Sequence, residues 1–216
     1  MARNPDTLAA PHVSPPDLAE HLEPAAPQRG ADLLAARLDL TGTADLAHSS
    51  LEQCVITADV DLLDLTGATI LDVDMPGVRA ASMSMRNTGI RRLRISGGRI
   101  GTLDLSGARI DELELRDLRI DYLNIGGSKT ADVLIADSTI RTLDLPHAEL
   151  TRVSFENSRS DEVDPRGLRA KDVDLRGLDA LSFTDANSLR DVTLTTFQVQ
   201  QLAPVFAAAV GIRIRD

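Results

Sequence analysis

Between residues 55 and 183 the chain returns to an apolar residue every five positions. Counted in blocks of ten, the fifth position reads Val55, Leu65, Met75, Met85, Ile95, Leu105, Leu115, Ile125, Ile135, Leu145, Phe155. The tenth reads Val60, Ile70, Ala80, Ile90, Ile100, Ile110, Ile120, Thr130, Ile140, Leu150. A period of five fits neither a helix at 3.6 residues per turn nor a strand at 2.0, so the pattern predicts a solenoid. The third position is large and apolar (Leu63, Val73, Met83, Leu93, Leu103), and the eighth is mostly small (Ala58, Ala68, Thr88, Gly98, Ala108). Large and small inward residues then alternate every five, which lets several sides share one interior without overfilling it.

The seventh position supplies the turn. It holds Gly67, Gly77, Asn87, Gly97, Gly107, Asp117, Gly127, Asp137, His147, Asn157 and Gly167, and Gly, Asn and Asp are the types that tolerate positive φ. Five residues per side and four sides make about 20 residues per coil. Coils about 4.8 Å apart over residues 55–183 give roughly six and a half coils and a rod about 30 Å long. A leucine-rich repeat would use Ile100-x-x-Leu103-x-Leu105 only once per coil, with coils of at least about 20 residues. Here Ile110-x-x-Leu113-x-Leu115 follows after ten, and that alternative leaves the second core unexplained.

The flanks are different. Residues 1–32 carry Pro5, Pro11, Pro15, Pro16, Pro24 and Pro27 without repeat register, which predicts a disordered arm with a helical turn or two at residues 17–22. The β-helix is assigned to residues 33–185, with its register slipping at residues 43–52. Residues 186–216 are assigned to a C-terminal helical cap. Thr195 and Thr196 are helix-capping types, Pro204 predicts a kink or two short helices, Gly211 a stop, and residues 212–214 a short last strand. Phe197, Leu202, Val205, Phe206 and Val210 are the apolar members of this cap. Capping the last coil and joining two copies as a homodimer both remain open for them.

Leu63-Asp64-Leu65-Thr66-Gly67, Leu103-Asp104-Leu105-Ser106-Gly107 and Val173-Asp174-Leu175-Arg176-Gly177 resemble the motif of the pentapeptide-repeat family, roughly Ala-(Asp/Asn)-Leu-x-x. The segment from Leu189 to Ile214 is similar to the C-terminal helix of its bacterial members. The resemblance implies an all-β fold: a right-handed quadrilateral parallel β-helix with a C-terminal α-helical cap. It departs from the family in carrying Leu or Val where the motif wants Ala, and in having almost no Phe at the centre. It also implies one sharp partner, because a well-known branch of the family mimics DNA and binds DNA gyrase.

Charge keeps that implication in play. The 216 residues carry a formal net charge of −10, which disfavours direct nucleic-acid binding. The candidate partner-binding residues are Asp64, Asp104, Glu114, Asp144, Asp161, Glu162, Asp164 and Asp174. They would either copy phosphate rows or form ordinary solvated ladders, and the interleaved Arg79, Arg99, Arg109, Arg119, Arg159 and Arg169 favour the second reading. The expected work is recognition of a protein partner of unknown identity, with DNA gyrase as the named alternative.

Catalysis has little support. His12, His21, His48 and His147 lack metal-ligand spacing, and Gly126-Gly127-Ser128-Lys129 lacks phosphate-loop spacing. One cysteine, Cys54, gives no internal disulfide. The reading is non-catalytic and without cofactor or metal. With no visible secretory leader or membrane-length apolar run, the expected setting is cytoplasmic.

Overall fold

A computed structural model describes residues 8–215. It is a parallel β-solenoid of about eight coils, roughly 20 residues each, closed by one C-terminal helix. The resemblance therefore anticipated the coil correctly. Successive coils pair in parallel, Thr69–Ser84 with Gly89–Asp104 and Gly89–Asp104 with Arg109–Asn124. Backbone hydrogen bonds thus run along the rod, which at the usual strand spacing is about 38 Å long.

The five-residue period is the inward pattern. In one coil Ile90, Leu93, Ile95, Ile100, Leu103, Leu105 and Ala108 are all buried, and the corresponding residues stack above and below them. Small hydroxyl residues in the eighth position bury without cost because each finds a nearby carbonyl. Thr88 donates to Met85 O and Ser128 to Ile125 O, both at 2.7 Å. Thr130, a hydroxyl residue in the apolar tenth position, differs. Its Oγ1 is buried without a hydrogen-bond partner, beside an apolar void of about 10 Å³ lined by Ile110, Leu113, Leu150, Val153 and Phe155.

Corners need left-handed backbone. Every seventh-position residue from Gly67 to Gly167 has φ between 43° and 68°. The Gly residues there also make room between coils. A Cβ on Gly67 would lie 2.6 Å from His48 Nδ1, one on Gly107 2.5 Å from Asn87 Oδ1, and one on Gly167 2.4 Å from His147 Nδ1. A second set of left-handed residues was not expected. Asp72, Arg92, Glu112, Asp132, Arg152 and Asp172 have φ of 51° to 72°, one per coil.

Coil length is not uniform. Paired residues differ by 18 at the start (Arg37 with Val55), by 19 next (Ser50 with Thr69) and by 20 through the middle (Thr69 with Gly89). The final pairing, Val173 with Val192, returns to 19. The irregular register expected at residues 43–52 is present as a shift between Gly42 and Thr43.

Both flanks differ from expectation. Residues 8–22 are extended chain without a helical turn, laid along the rod, and Glu23–Pro24 then pair with Ala36 and Arg37. Pairing at the other end continues past residue 185 to Val192–Thr193. The cap is a single helix, α1 (Thr196–Ala209), that runs through Pro204. Pro204 and Gln200, whose carbonyl loses its bond, are both exposed, so water satisfies the freed group. Thr195 caps it in a reciprocal box with Gln198. Gly211, at φ 78°, ends it. The Gly211 amide donates to Ala208 O and the Ile212 amide to Ala207 O, and no strand forms at residues 212–214.

Candidate functional site

The solenoid sorts outward side chains into ladders, one residue per coil. Because a full coil is twice ten positions, acids ten apart fall on different ladders. Asp64, Asp104, Asp144 and Asp164 share one, in the order Asp45, Asp64, Ser84, Asp104, Asn124, Asp144, Asp164. Glu114 and Asp174 belong to another, Asp74, Arg94, Glu114, Leu134, Ser154, Asp174. Glu162 lies on a third, below Thr142 and Tyr122, with exposed Asp161 beside it.

The acids of the first ladder range from exposed (Asp45) through half-buried (Asp64, Asp104, Asp144) to buried (Asp164), and most of them form turns. Oδ1 of Asp64, Asp104 and Asp164 accepts the amide of Thr66, Ser106 and Arg166 respectively, at 2.9 to 3.1 Å. Burial would raise the Asp64 carboxyl, but its bonds from Thr66 hold it below its ordinary value. The Arg166 guanidinium pulls the Asp164 carboxyl down, and Arg176 does the same to Asp174. Tyr122 donates to Asp144 at 2.5 Å, and that bond to a carboxylate pushes the phenol up to about 12. On the second ladder Arg94 clamps Asp74 with two bonds of 2.9 and 2.8 Å, and Arg116 reaches Glu114 at 2.7 Å. Each acid there has an arginine partner, Arg94 on the ladder itself and Arg116 and Arg176 beside it.

A basic ladder, Arg79, Arg99, Arg119 and Arg159, is interrupted only by Thr139 and bounded by Asp59 and Asp179. Beside it an open groove of about 700 Å³ is lined by Gly98, Gly101 and Asp121. A Cβ on Gly98 would sit 2.0 Å from Val78 O, so only glycine lets the coils close there.

The most organised polar feature is the left-handed corner at Asp72, Arg92, Glu112, Asp132, Arg152 and Asp172. Arg152 donates to both oxygens of Asp132, at 2.7 and 2.5 Å, and Arg92 donates to Asp72 at 3.0 Å. The Arg152 bonds hold the Asp132 carboxyl below its ordinary range. Four carboxylates of this corner also accept backbone amides from the N-terminal segment. Asp17 N reaches Asp72 at 2.8 Å, Ser14 N reaches Glu112 at 2.8 Å, His12 N reaches Asp132 at 2.9 Å, and Ala9 N reaches Asp172 at 3.1 Å. Sequence reasoning missed this track. Its signals were a charged second position recurring once per coil and the proline spacing of the arm.

At the C-terminal end α1 divides its apolar residues. Leu202 is buried, Val205 and Phe206 pack against the core, and Phe197 and Val210 are 66 % and 72 % exposed. Gln198 Nε2 donates to Leu175 O and Leu178 O, pinning the helix to open carbonyls of the last coils. Among the described residues no group of three or more His, Cys, Asp or Glu is placed to hold a metal ion. No helix there is long and apolar enough to cross a membrane.

No protein-family model matches the chain, and no curated protein matches it. The solved structures that the chain resembles include two at 14 % identity. One is QnrB1, a plasmid-mediated fluoroquinolone resistance protein, over 89 % of this chain and 95 % of that one with a TM-score of 0.29. The other is HetL, a pentapeptide-repeat protein involved in heterocyst differentiation regulation from the cyanobacterium Nostoc sp. strain PCC 7120. It matches over 76 % of this chain and 86 % of that one with a TM-score of 0.25. The fold assignment rests on the strand register of this chain, not on those likenesses.

Proposed function

We propose that this rod is a non-catalytic scaffold that binds another protein through its charged flank. The observation that carries the reading is the fixed order of the outward ladders. Acid and base are held at strand spacing along about 29 Å of rod, by bonds that keep their side chains in one geometry. Such a surface recognises a macromolecule by complementary charge without a cleft. The test is affinity capture by the full chain beside a variant in which Asp64, Asp104, Asp144 and Asp174 are each changed to Asn. A partner retained by the native chain and lost by the variant supports the reading. Identical capture by both removes the acidic ladders from it.

A second reading is a DNA-shaped modulator of DNA gyrase. It is favoured by the ladder on which Asp104, Asp144 and Asp164 are separated only by Asn124, with Asp161 and Glu162 near its C-terminal end. Glu114, Asp174 and Asp164, each paired with an arginine, fit it less well than Asp104 and Asp144 do. In this reading the exposed Phe197 and Val210 join two copies into a homodimer and lengthen the acidic strip. Inhibition of gyrase supercoiling by the native chain, lost in the same Asn variant, supports it. No effect at many-fold excess ends it for that enzyme. Sedimentation as a monomer, unchanged by Phe197→Ser, removes the homodimer.

A further inference from the structure

The corner track and the N-terminal segment fit each other as receptor and ligand. Corner residues one per coil, four of them carboxylates, place Asp172 and Asp72 five coil spacings, about 24 Å, apart. The eight residue steps from Ala9 to Asp17, at the polyproline rise of about 3.1 Å each, span about 25 Å. The segment runs counter to the coil order and meets Asp172, Asp132, Glu112 and Asp72 in turn. Its sequence, Ala9-Ala10-Pro11-His12-Val13-Ser14-Pro15-Pro16-Asp17, explains the fit. Three of its positions are prolines, which have no N–H to leave unsatisfied, and four of the remaining amides meet carboxylates. The Ser14 hydroxyl adds a second bond to Glu112 at 2.5 Å, and His12 Nδ1 lies 3.9 Å from the same carboxylate. Arg92 and Arg152 hold Asp72 and Asp132 in place, so those two acceptors are ordered independently of the arm.

We propose that this track is a recognition surface for an extended, proline-rich polypeptide segment, and that the chain's own arm occupies it as a displaceable stand-in. The proposal deepens the scaffold reading and rests on it: the protein partner would present such a segment, with amide donors in the spacing of residues 9, 12, 14 and 17. Recognition is by backbone amides against carboxylates, so proline position sets specificity more than side-chain identity does. The tether gives the arm an effective concentration that a free segment must overcome. The partner's segment therefore binds well only when it is longer, multivalent, or aided by loosening of the arm.

The test uses the full chain and a fluorescein-labelled synthetic peptide of residues 8–18. His12→Pro with Ser14→Pro removes two of the four amide donors and the Ser14 hydroxyl without touching the rod. Amide exchange read by mass spectrometry reports whether the arm is released, and fluorescence anisotropy reports peptide binding. The expected result is a released arm and at least tenfold tighter peptide binding than in the native chain. That gain disappears when Asp132→Asn and Glu112→Gln are added, or when the peptide itself carries the two prolines. A released arm with no gain in binding overturns the track as a recognition surface. An arm that stays protected overturns the claim that these amides hold it. As an independent check, Asp132→Asn alone in the native chain should speed exchange at Ala9 to Asp17, and unchanged exchange counts against the proposal. Loss of the track while capture in the charge-variant assay persists leaves the scaffold reading standing, so the two fail separately.

Discussion

Two corners of the same coil meet the same backbone demand in different ways. At Gly67, Asn87, Gly107, Gly127, His147 and Gly167 the left-handed turn is made by residue types suited to it, and Gly67, Gly107 and Gly167 each make room for a bulkier corner residue in the neighbouring coil. At Asp72, Arg92, Glu112, Asp132, Arg152 and Asp172 the same φ is adopted by charged residues, three of them Asp and three of them not turn-forming types. There the compensation comes from outside the residue, in guanidinium–carboxylate pairs between coils and in the amides of the arm. The first corner is a backbone solution that any copy of the repeat could use. The second draws on guanidinium and amide donors from other coils and from the arm.

The largest disturbance strikes the core on which both corners hang. Ile110→Asp puts an unpaired charge among stacked aliphatic residues and should cost more than about 4 kcal/mol, enough to abolish cooperative melting in circular dichroism. Arg109→Asp next to it, on the exposed side, should move the melting temperature hardly at all. Equal effects would mean that the inward register is misassigned.

The glycine corner comes next. Gly167→Ala places a Cβ 2.4 Å from His147 Nδ1 at φ 67°, and a loss of about 2 kcal/mol is expected. Adding His147→Ala should recover the steric part and leave only the backbone strain, about 1 kcal/mol. A double variant as weak as the single one would show that contact between coils is not what glycine provides there.

The charged corner should respond to acid. The Asp132 carboxyl sits below its ordinary value of 3.8, so its stabilising contribution is present above that value and is lost as pH falls through the folded one. Thermal melts from pH 6 down to pH 2 should therefore fall more steeply for the native chain than for Asp132→Asn, and only below about pH 4. At neutral pH that substitution should cost about 1 kcal/mol, because the pair is partly exposed and screened. Parallel acid limbs would sink the idea that this carboxylate helps hold the corner. The smallest effect is a gain: Thr130→Val removes the unpartnered hydroxyl beside the void and should raise stability by up to about 1 kcal/mol in urea titration.

The same contrast explains what could be read from the sequence. The five-residue period was legible because each inward position has one environment in every coil, as the buried run Ile90, Ile110, Leu150 shows. The glycine corner was legible because its residue types name their own φ. The charged corner was not, because Arg92, Glu112 and Arg152 carry no local signal for a turn. The arm looked disordered for a related reason: Pro11, Pro15 and Pro16 rule out helix and ladder alike, and the acceptors that order the segment lie 55 to 163 residues away. The acidic residues fall into separate ladders because a coil is two blocks of ten. Asp64 and Asp74 share a position in the five-residue count and sit on different ladders.

The uneven coil length has a consequence of its own. A solenoid whose every turn is identical offers at each end a template that another molecule's end would match, and copies would then polymerise into filaments as readily as one turn follows the next. Here the first turns are shorter than those in the middle, as the pairings of Arg37 with Val55 and Ser50 with Thr69 show against Thr69 with Gly89. The last pairing, Val173 with Val192, is short again. Two ends brought together would disagree in perimeter, and their hydrogen-bonding groups would drift out of phase within one circuit. The taper, together with Gln198 occupying carbonyls of the closing turns, lets a protein made almost wholly of parallel strand remain a particle of fixed length.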